Sequence, residues 1–316
     1  MLVVPSGLNL VFCGTPIFAV PSLETLVESG FAVKLVVTQP DRPSGRGMEL
    51  AASPVKQYAQ KSGLPVIQPE RIKDNEEFKA RISELKPDAI IVVGYGRFIP
   101  QWMLDLPPLG NINLHASLLP KYRGAAPIQW AIARGETVTG ATTMRLNAGL
   151  DTGDILLQQE LSIARDDTAD TLGPKLAVVG AELLVRTLRG LQDGKIHPVP
   201  QDDLQATLAP ILKKEDGRID FSRAASEIYN RLRGFQPWPG AFTSFRGRKL
   251  NVWSGSPIQK TVSQSKLLIE NDHLIVGCAD NTALELLEVQ PEGKKRLAAK
   301  DFIHGYRPQT GDKLGE

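Results

Sequence analysis

Cysteine is nearly absent: the 316-residue chain holds two, Cys13 and Cys278, inside the apolar runs LNLVFC and LIVGC. Thiols so placed do not make a disulfide framework, and two buried structural thiols in a reducing compartment are expected. The four histidines, at 115, 197, 273 and 304, are scattered and no CxxC accompanies them, so zinc-type spacing is missing and no metal is expected. No apolar run approaches the roughly 18 to 20 residues a membrane helix needs. The N-terminal MLVVPSGLNLVFC has neither a positively charged leader nor a small-residue cleavage site. A soluble, unexported, cytoplasmic protein without a membrane partner is therefore expected. The first strand-to-helix turn reads GTPIFAVP rather than GxGxxG, which disfavours a dinucleotide.

What is present supports an ordinary folded protein. An apolar fraction of 42% and a charged fraction of 23% exclude a mostly disordered or fibrous chain. The length exceeds what one core usually serves, so two domains are the first expectation, with a single α/β barrel as the alternative. The net charge of +2 is unevenly placed: residues 1–210 carry 20 Lys+Arg against 22 Asp+Glu, and residues 211–316 carry 17 against 13. A near-neutral first part and a mildly basic second part suit a small-molecule site joined to a polyanion-binding appendage; ordinary surface variation is the alternative.

Hydrophobic periodicity gives the organisation. Strand patterns at 8–14, 31–39, 64–69 and 87–96 alternate with helical patterns at 21–30, 53–63 and 75–86. This predicts an α/β first domain with a doubly wound, mostly parallel, Rossmann-like sheet, with ligands outside the carboxyl ends of its strands. A strand at 111–117, a helix at 126–135, a strand pair in GATTMRL and ILLQQELSI, and a long helix over 168–192 follow. DGKIHPVPQDDLQATLAPIL, rich in Pro and polar residues, reads as a linker. Beyond a helix at 225–235, the segments GAFTSF, KLNVWSG, KLLIENDHLIVGC and ALELLEVQ suggest a small OB-like β-barrel, a fold often used to hold nucleic acid. The expected boundaries are 1–194, a linker over 195–212, and 213–316.

Asn113 and His115 lie two apart on a predicted strand, so both point to one face. Asp151 lies in GLDTGD, a glycine-flanked turn that easily presents a carboxylate. Amide, imidazole and carboxylate are the inventory for acyl transfer without a protein nucleophile: the amide donates to a developing oxyanion, the imidazole handles protons or charge, and the carboxylate orients the imidazole. A satisfied buried histidine and an ordinary turn aspartate are the alternative, because spacing does not show that Asp151 meets His115.

NINLHASLLPKYRGAAPIQWAI (111–132), followed by LDTGDIL (150–156), resembles the signature of the folate-dependent formyltransferases and formyl hydrolases, in which Asn, His, SLLP, RGxxP and DxGD recur in this order. The resemblance implies that Asn113, His115 and Asp151 are the catalytic trio. It also implies that Ser117, Leu118, Leu119 and Pro120 line the tetrahydrofolate site, with backbone from Val93, Gly94, Tyr95 and Gly96. The co-substrate implied is 10-formyltetrahydrofolate, and no acyl-enzyme is required. Neither cysteine belongs to the motif.

Over essentially the whole chain the resemblance is to those family members that formylate methionyl-initiator tRNA in translation initiation. It rests on TQPDRPSGRGM (38–48), similar to their inserted loop near the acceptor end, and on GFQPWPGAF (234–242) and VQPEGKKRLAAKDFIHG (289–305). Gln236 stands where the family pattern has Asn before PWPGA. In the 38–48 loop Arg42 and Arg46 are set among Pro43, Ser44, Gly45 and Gly47, a bendable backbone presenting two guanidinium forks suited to phosphate or base edges; a solvated turn is the alternative. Lys294, Lys295 and Arg296 form a basic triplet expected at a barrel rim, for tRNA phosphates or as a solvated face. A monomer is expected. Rival readings are a formyltransferase or formyl hydrolase acting on a small molecule, which would not need the 38–48 loop, and a non-catalytic nucleic-acid-binding protein.

Overall fold

The computed structural model describes residues 7–44 and 49–316. These described residues divide into two compact units: one from the stretches 7–124, 138–162 and 173–209, the other from 125–137, 163–172 and 210–316.

The first unit is built on strands β1 (Asn9–Gly14), β2 (Ala32–Val37), β5 (Val66–Ile67), β6 (Ala89–Val93), β7 (Asn111–His115), β8 (Val138–Arg145) and β9 (Ile155–Ser162), with a small antiparallel hairpin, β3 (Arg42–Ser44) and β4 (Glu49–Ala51), outside the sheet. The sheet order is β5-β2-β1-β6-β7-β8-β9. Pairing is parallel from β5 to β7, and β8 and β9 add antiparallel strands at one edge. Alternation along β1 shows why both faces are covered. Leu10 and Phe12 enter one apolar cluster with Leu23, Leu26, Leu183 and Leu188, while Val11 and Cys13 enter another with Phe78, Ile82 and Met103. Burying each such large side chain is worth roughly 1.5–3 kcal/mol, so the strand cannot slip register without exposing both sets.

Local chemistry sets the helices α1 (Val20–Glu28), α2 (Pro54–Lys61), α3 (Glu76–Glu84), α4 (Gln101–Leu104) and α5 (Pro127–Ala133). The Ser53 hydroxyl accepts from the Lys56 amide and Pro54 opens α2; the Asn75 side chain accepts from the Phe78 amide, with Glu76 and Glu77 in the first turn of α3. The helix predicted over 168–192 is α6 (Ala169–Gln192).

The second unit has α7 (Ala225–Gly234), strands β10 (Ala241–Phe245), β11 (Arg248–Ile258), β12 (Leu267–Glu270), β13 (His273–Gly277), β14 (Ala283–Pro291) and β15 (Leu297–Ala298), and α8 (Ala299–Tyr306). Its sheet is antiparallel in the order β10-β11-β14-β13-β12, with β15 on β14. Asn271 and Asp272, at φ 48° and 65°, make the two-residue turn that splits KLLIENDHLIVGC into β12 and β13. The C-terminal segment joins the two edge strands. Leu314 N–H donates to the Ser265 carbonyl before β12 and Gly315 N–H to the Ser244 carbonyl in β10, both at 2.9 Å. The predicted barrel thus completes its ring through the last residues of the chain, leaving fewer free edge groups.

Two boundaries differ from the sequence expectation. The presumed linker splits: 195–209 packs into the first unit, where Val199 pairs with Ile155 and Leu208 with Arg123. Residues 125–137, with α5, and 163–172 go to the second unit. There Arg233 of α7 donates to the Asp167 carbonyl at 2.6 Å, and the Trp130 indole meets Phe235 edge-on at 5.3 Å. Gly234 permits this packing, since a Cβ on it would lie 2.6 Å from the Gln129 carbonyl oxygen and 2.8 Å from the Ala133 nitrogen. Gly234→Ala should destabilise the protein by about 1–3 kcal/mol in urea unfolding. Gly173→Ala, in α6 with nothing within 4 Å of the new Cβ, should be neutral or stabilising by up to about 1 kcal/mol. Equal effects of the two would refute close helix packing at Gly234.

Candidate active site

The reversal of strand order that defines where such sheets bind ligands falls between β1, which leads on to β2, and its other neighbour β6. At the carboxyl ends of β1, β6 and β7 stand Gly14, Val93 and His115.

His115 and Asn113 are buried on β7, 6% and 8% exposed. The His115 Nε2 lies 2.9 Å from the carbonyl oxygen of Tyr122. That oxygen can only accept, so Nε2 carries the proton. Nδ1 faces Asp151 Oδ2 at 3.7 Å, ion-pair range. Tyr122 and Asp151 thus flank the ring, the first at hydrogen-bond length and the second at ion-pair range. Asp151, at φ 52°, has its Oδ2 held by the Gly124 N–H at 2.8 Å. Gly124 cannot carry a side chain: at φ 121°, a Cβ would sit 2.6 Å from the Ala209 carbonyl oxygen. The Asn113 amide has no hydrogen-bond partner among the described residues, so it is available to a ligand. The structure thus brings together the three residues expected as a trio, including the Asp151–His115 approach that spacing left open.

Of the residues expected around tetrahydrofolate, Val93 and Tyr95 turn their side chains into the core, 0% and 1% exposed. Gly94 and Gly96, exposed and at φ 54° and 75°, present backbone instead. That backbone is pinned, because the Tyr95 carbonyl accepts from Gln39 Nε2 at 2.7 Å and from the Thr15 hydroxyl at 3.3 Å. The SLLP segment is pinned too. The Ser117 hydroxyl donates to the Lys121 carbonyl at 2.6 Å, the Leu119 N–H to Thr142 Oγ1 at 3.1 Å, and Gln158 Nε2 to the Leu119 carbonyl at 2.8 Å. Ser117 and Leu119 are buried, whereas Leu118 and Pro120 are partly exposed. Ser117 thus shapes the loop, and Leu118 and Pro120 are the side chains it offers outward.

Arg42 is exposed on β3 and donates to Gln39 Oε1 at 3.1 Å; Arg46 lies outside the described residues. The base of this loop is anchored by Asp41, whose carboxylate accepts from Lys56 at 2.5 Å and Gln68 at 2.7 Å. Those hydrogen bonds, Lys56 first, hold its carboxyl below the usual carboxylate range. Lys294, Lys295 and Arg296 are exposed between β14 and β15. Arg296 is not a free cation: its guanidinium lies 3.3 Å over the Trp253 ring. Sequence reading missed Arg246, Arg248 and Lys249, which with Lys294 line a cavity of about 220 Å³ beside Phe302 and Tyr306. The basic run RGRK at the β10–β11 turn was the available signal. Among the described residues no helix is long and apolar enough to cross a membrane, and no group of His, Cys, Asp and Glu is arranged to hold a metal ion.

The family model described as formyl transferase matches residues 8–188, and that described as formyl transferase, C-terminal domain, matches residues 211–307. The chain belongs to the formyl transferase family. It is 66% identical over 306 residues to the methionyl-tRNA formyltransferase of Koribacter versatilis, covering 97% of this chain and 98% of that protein. Identity to the methionyl-tRNA formyltransferase of Acidobacterium capsulatum is 58% over 310 residues, covering 98% and 100%. Among solved structures, an N-formyltransferase from Helicobacter canadensis in complex with folinic acid and dTDP-3-aminofucose superposes with a TM-score of 0.66 at 18% identity, covering 90% of this chain and 99% of that one. At that identity the likeness establishes the fold.

No thiol is poised for nucleophilic catalysis. Burial pushes Cys13 well above the ordinary thiol range and Cys278 up to about 11, so neither offers appreciable thiolate near neutral pH. Iodoacetamide at pH 7.5 should leave the native protein unlabelled and fully active, whereas urea-unfolded protein should take up two labels. Labelling of the native form with loss of activity would implicate a cysteine.

Proposed function

We propose that the chain transfers the formyl group of 10-formyltetrahydrofolate to the free amino group of methionyl-initiator tRNA in the cytoplasm, by direct attack of the amine. The observation that carries the chemistry is His115 set between the Tyr122 carbonyl and Asp151, with the unengaged amide of Asn113 on the same face of β7. The substrate reading is supported by the high identity to methionyl-tRNA formyltransferases over nearly the full chain. The exposed backbone at Gly94 and Gly96, together with the partly exposed Leu118 and Pro120, fits a flat heterocycle that needs amide groups more than charges.

In this mechanism the methionyl nitrogen adds to the formyl carbon, and the carbonyl oxygen takes the negative charge. The Asn113 amide donates to that oxyanion together with the Nδ1–H of the His115 imidazolium, since Nε2–H is held by the Tyr122 carbonyl and Nδ1, 3.7 Å from Asp151, makes no hydrogen bond to it. Asp151 faces His115 Nδ1 and orients the ring. As the tetrahedral centre collapses, the bond from carbon to N10 breaks, and the amine proton passes to N10 with His115, Asp151 and a water as carriers. Products are the formamide and tetrahydrofolate.

His115→Ala should lower turnover about 10²-fold or more while folate binding largely survives, since one positioned proton-transfer or oxyanion group contributes that much. Asn113→Asp keeps the size but brings negative charge to the oxyanion position, and its loss should appear in kcat rather than in folate affinity. Near wild-type turnover in both would remove the pair from the chemistry. The assay uses 10-formyltetrahydrofolate with charged initiator tRNA, charged elongator tRNA or free methionine. Free methionine formylated as efficiently as charged initiator tRNA would overturn the substrate assignment.

The basic residues separate in the same assay. Neutralising Lys294, Lys295 and Arg296 should weaken any tRNA and flatten the salt dependence of binding, by about one counterion per lost phosphate contact. Arg42→Ala should lower initiator formylation strongly and narrow the ratio of initiator to elongator efficiencies, as a guanidinium reading base edges would. Equal factors on both tRNAs in both variants would reduce Arg42 to a phosphate contact.

A further inference from the structure

We infer that Gln201 is a positioning residue for Asp151, and that the segment expected as a linker therefore carries part of the active-site machinery. The inference rests on the role proposed above for Asp151.

Every polar valence of the Gln201 amide is engaged within the first unit. Its Nε2 donates to the backbone carbonyl of Asp151 at 2.8 Å and to that of Gly153 at 2.7 Å. Its Oε1 accepts from Arg123 Nε at 3.0 Å and from the Arg123 terminal nitrogen at 2.8 Å. An amide has two N–H donors and two acceptor sites, so this side chain is saturated and its orientation is fixed.

The two sides it joins are the two that place the carboxylate. The backbone beneath Asp151 is on one side. On the other is Arg123, whose neighbour Gly124 donates its N–H to Asp151 Oδ2 at 2.8 Å. Arg123 is itself well fixed: its guanidinium reaches Asp203 Oδ1 at 2.7 Å, and its backbone bonds to Thr207 and Ala209 at 2.8 and 2.7 Å. Asp151 is thus gripped at its main chain and at its carboxylate by one connected set, with Gln201 as the member that spans it. The carboxylate stands 3.7 Å from His115 Nδ1, so small rotations of the 151–153 turn change that separation directly. Losses of this size in placement are costly in catalysis.

Gln201→Glu keeps the shape and the acceptor for Arg123 but turns a carboxylate oxygen toward two backbone carbonyls. Gln201→Leu removes both functions. With charged initiator tRNA and 10-formyltetrahydrofolate, each should lower kcat by tenfold or more, change KM for either substrate less than threefold, and shift Tm by less than a few degrees. The decisive readout is a double-mutant cycle with Asp151→Asn. If Gln201 acts through Asp151, Gln201→Glu should cost less than threefold in the Asp151→Asn background. Tenfold losses that multiply with Asp151→Asn, losses confined to KM, or unchanged kcat in both single variants would overturn the assignment. An inactive wild-type protein in this assay would instead overturn the proposed function, so the two failures are distinguishable.

Discussion

A carboxylate on a turn can serve a histidine on a strand only if the turn is held as rigidly as the strand. Here β7 is fixed by parallel pairing with β6 on one side and antiparallel pairing with β8 on the other, which leaves the Asp151 turn as the part requiring support. The Gly124 N–H bond to Asp151 Oδ2 supplies it. A hydrogen bond to a charged group contributes roughly 1.5–3 kcal/mol, enough to select one orientation of a side chain that is 14% exposed. The conformation of 122–124, the placement of His115 and the packing of 201–209 all bear on that single contact.

The Asn113 and His115 side of the site was legible, because a strand period of two fixes which residues share a face. The Asp151 side was not, for a geometric reason. The last residue of β8, Arg145, stands opposite Ile112, at the start of β7 and away from His115. Asp151 meets His115 because residues 146–154 fold back. That fold-back needs a bare Gly153, whose Cβ would fall 1.7 Å from the Arg145 carbonyl oxygen. The glycines of GLDTGD were legible as a turn, but their role in reversing the chain toward β7 is a tertiary fact. Only the family resemblance joined Asp151 to His115 in advance.

Periodicity also explains what was misread. Strands and helices announce themselves through repeated burial of one face, and the alternation that predicts the doubly wound sheet and the later short strands does so clearly. Residues 195–209 are ordered differently, by isolated backbone bridges and by side chains that bond to main chain, as Thr207 Oγ1 does with the Tyr122 amide and Gln201 with the 151–153 turn. Such order leaves no repeat, since each contact answers to a different partner. A polar, proline-rich stretch can therefore be rigid scaffold while reading as linker.

Net charge in the basic last third of the chain is likewise a poor guide to which cations can meet a polyanion. Arg246 is paired with Asp312, Lys300 with Asp272 and Lys313 with Glu316, while Lys260 is bonded to Glu270. Exposed pairs of this kind contribute little to stability, about 0–1 kcal/mol, yet each partly cancels the field its cation projects. Arg248, Lys249, Lys294 and Lys295 have no carboxylate within ion-pair distance among the described residues, so no direct partner cancels the field they project. Arg296 differs again, because its guanidinium lies over the Trp253 ring, as the Lys249 ammonium lies over Phe242, so each cation is attracted to an aromatic face and not only surrounded by water.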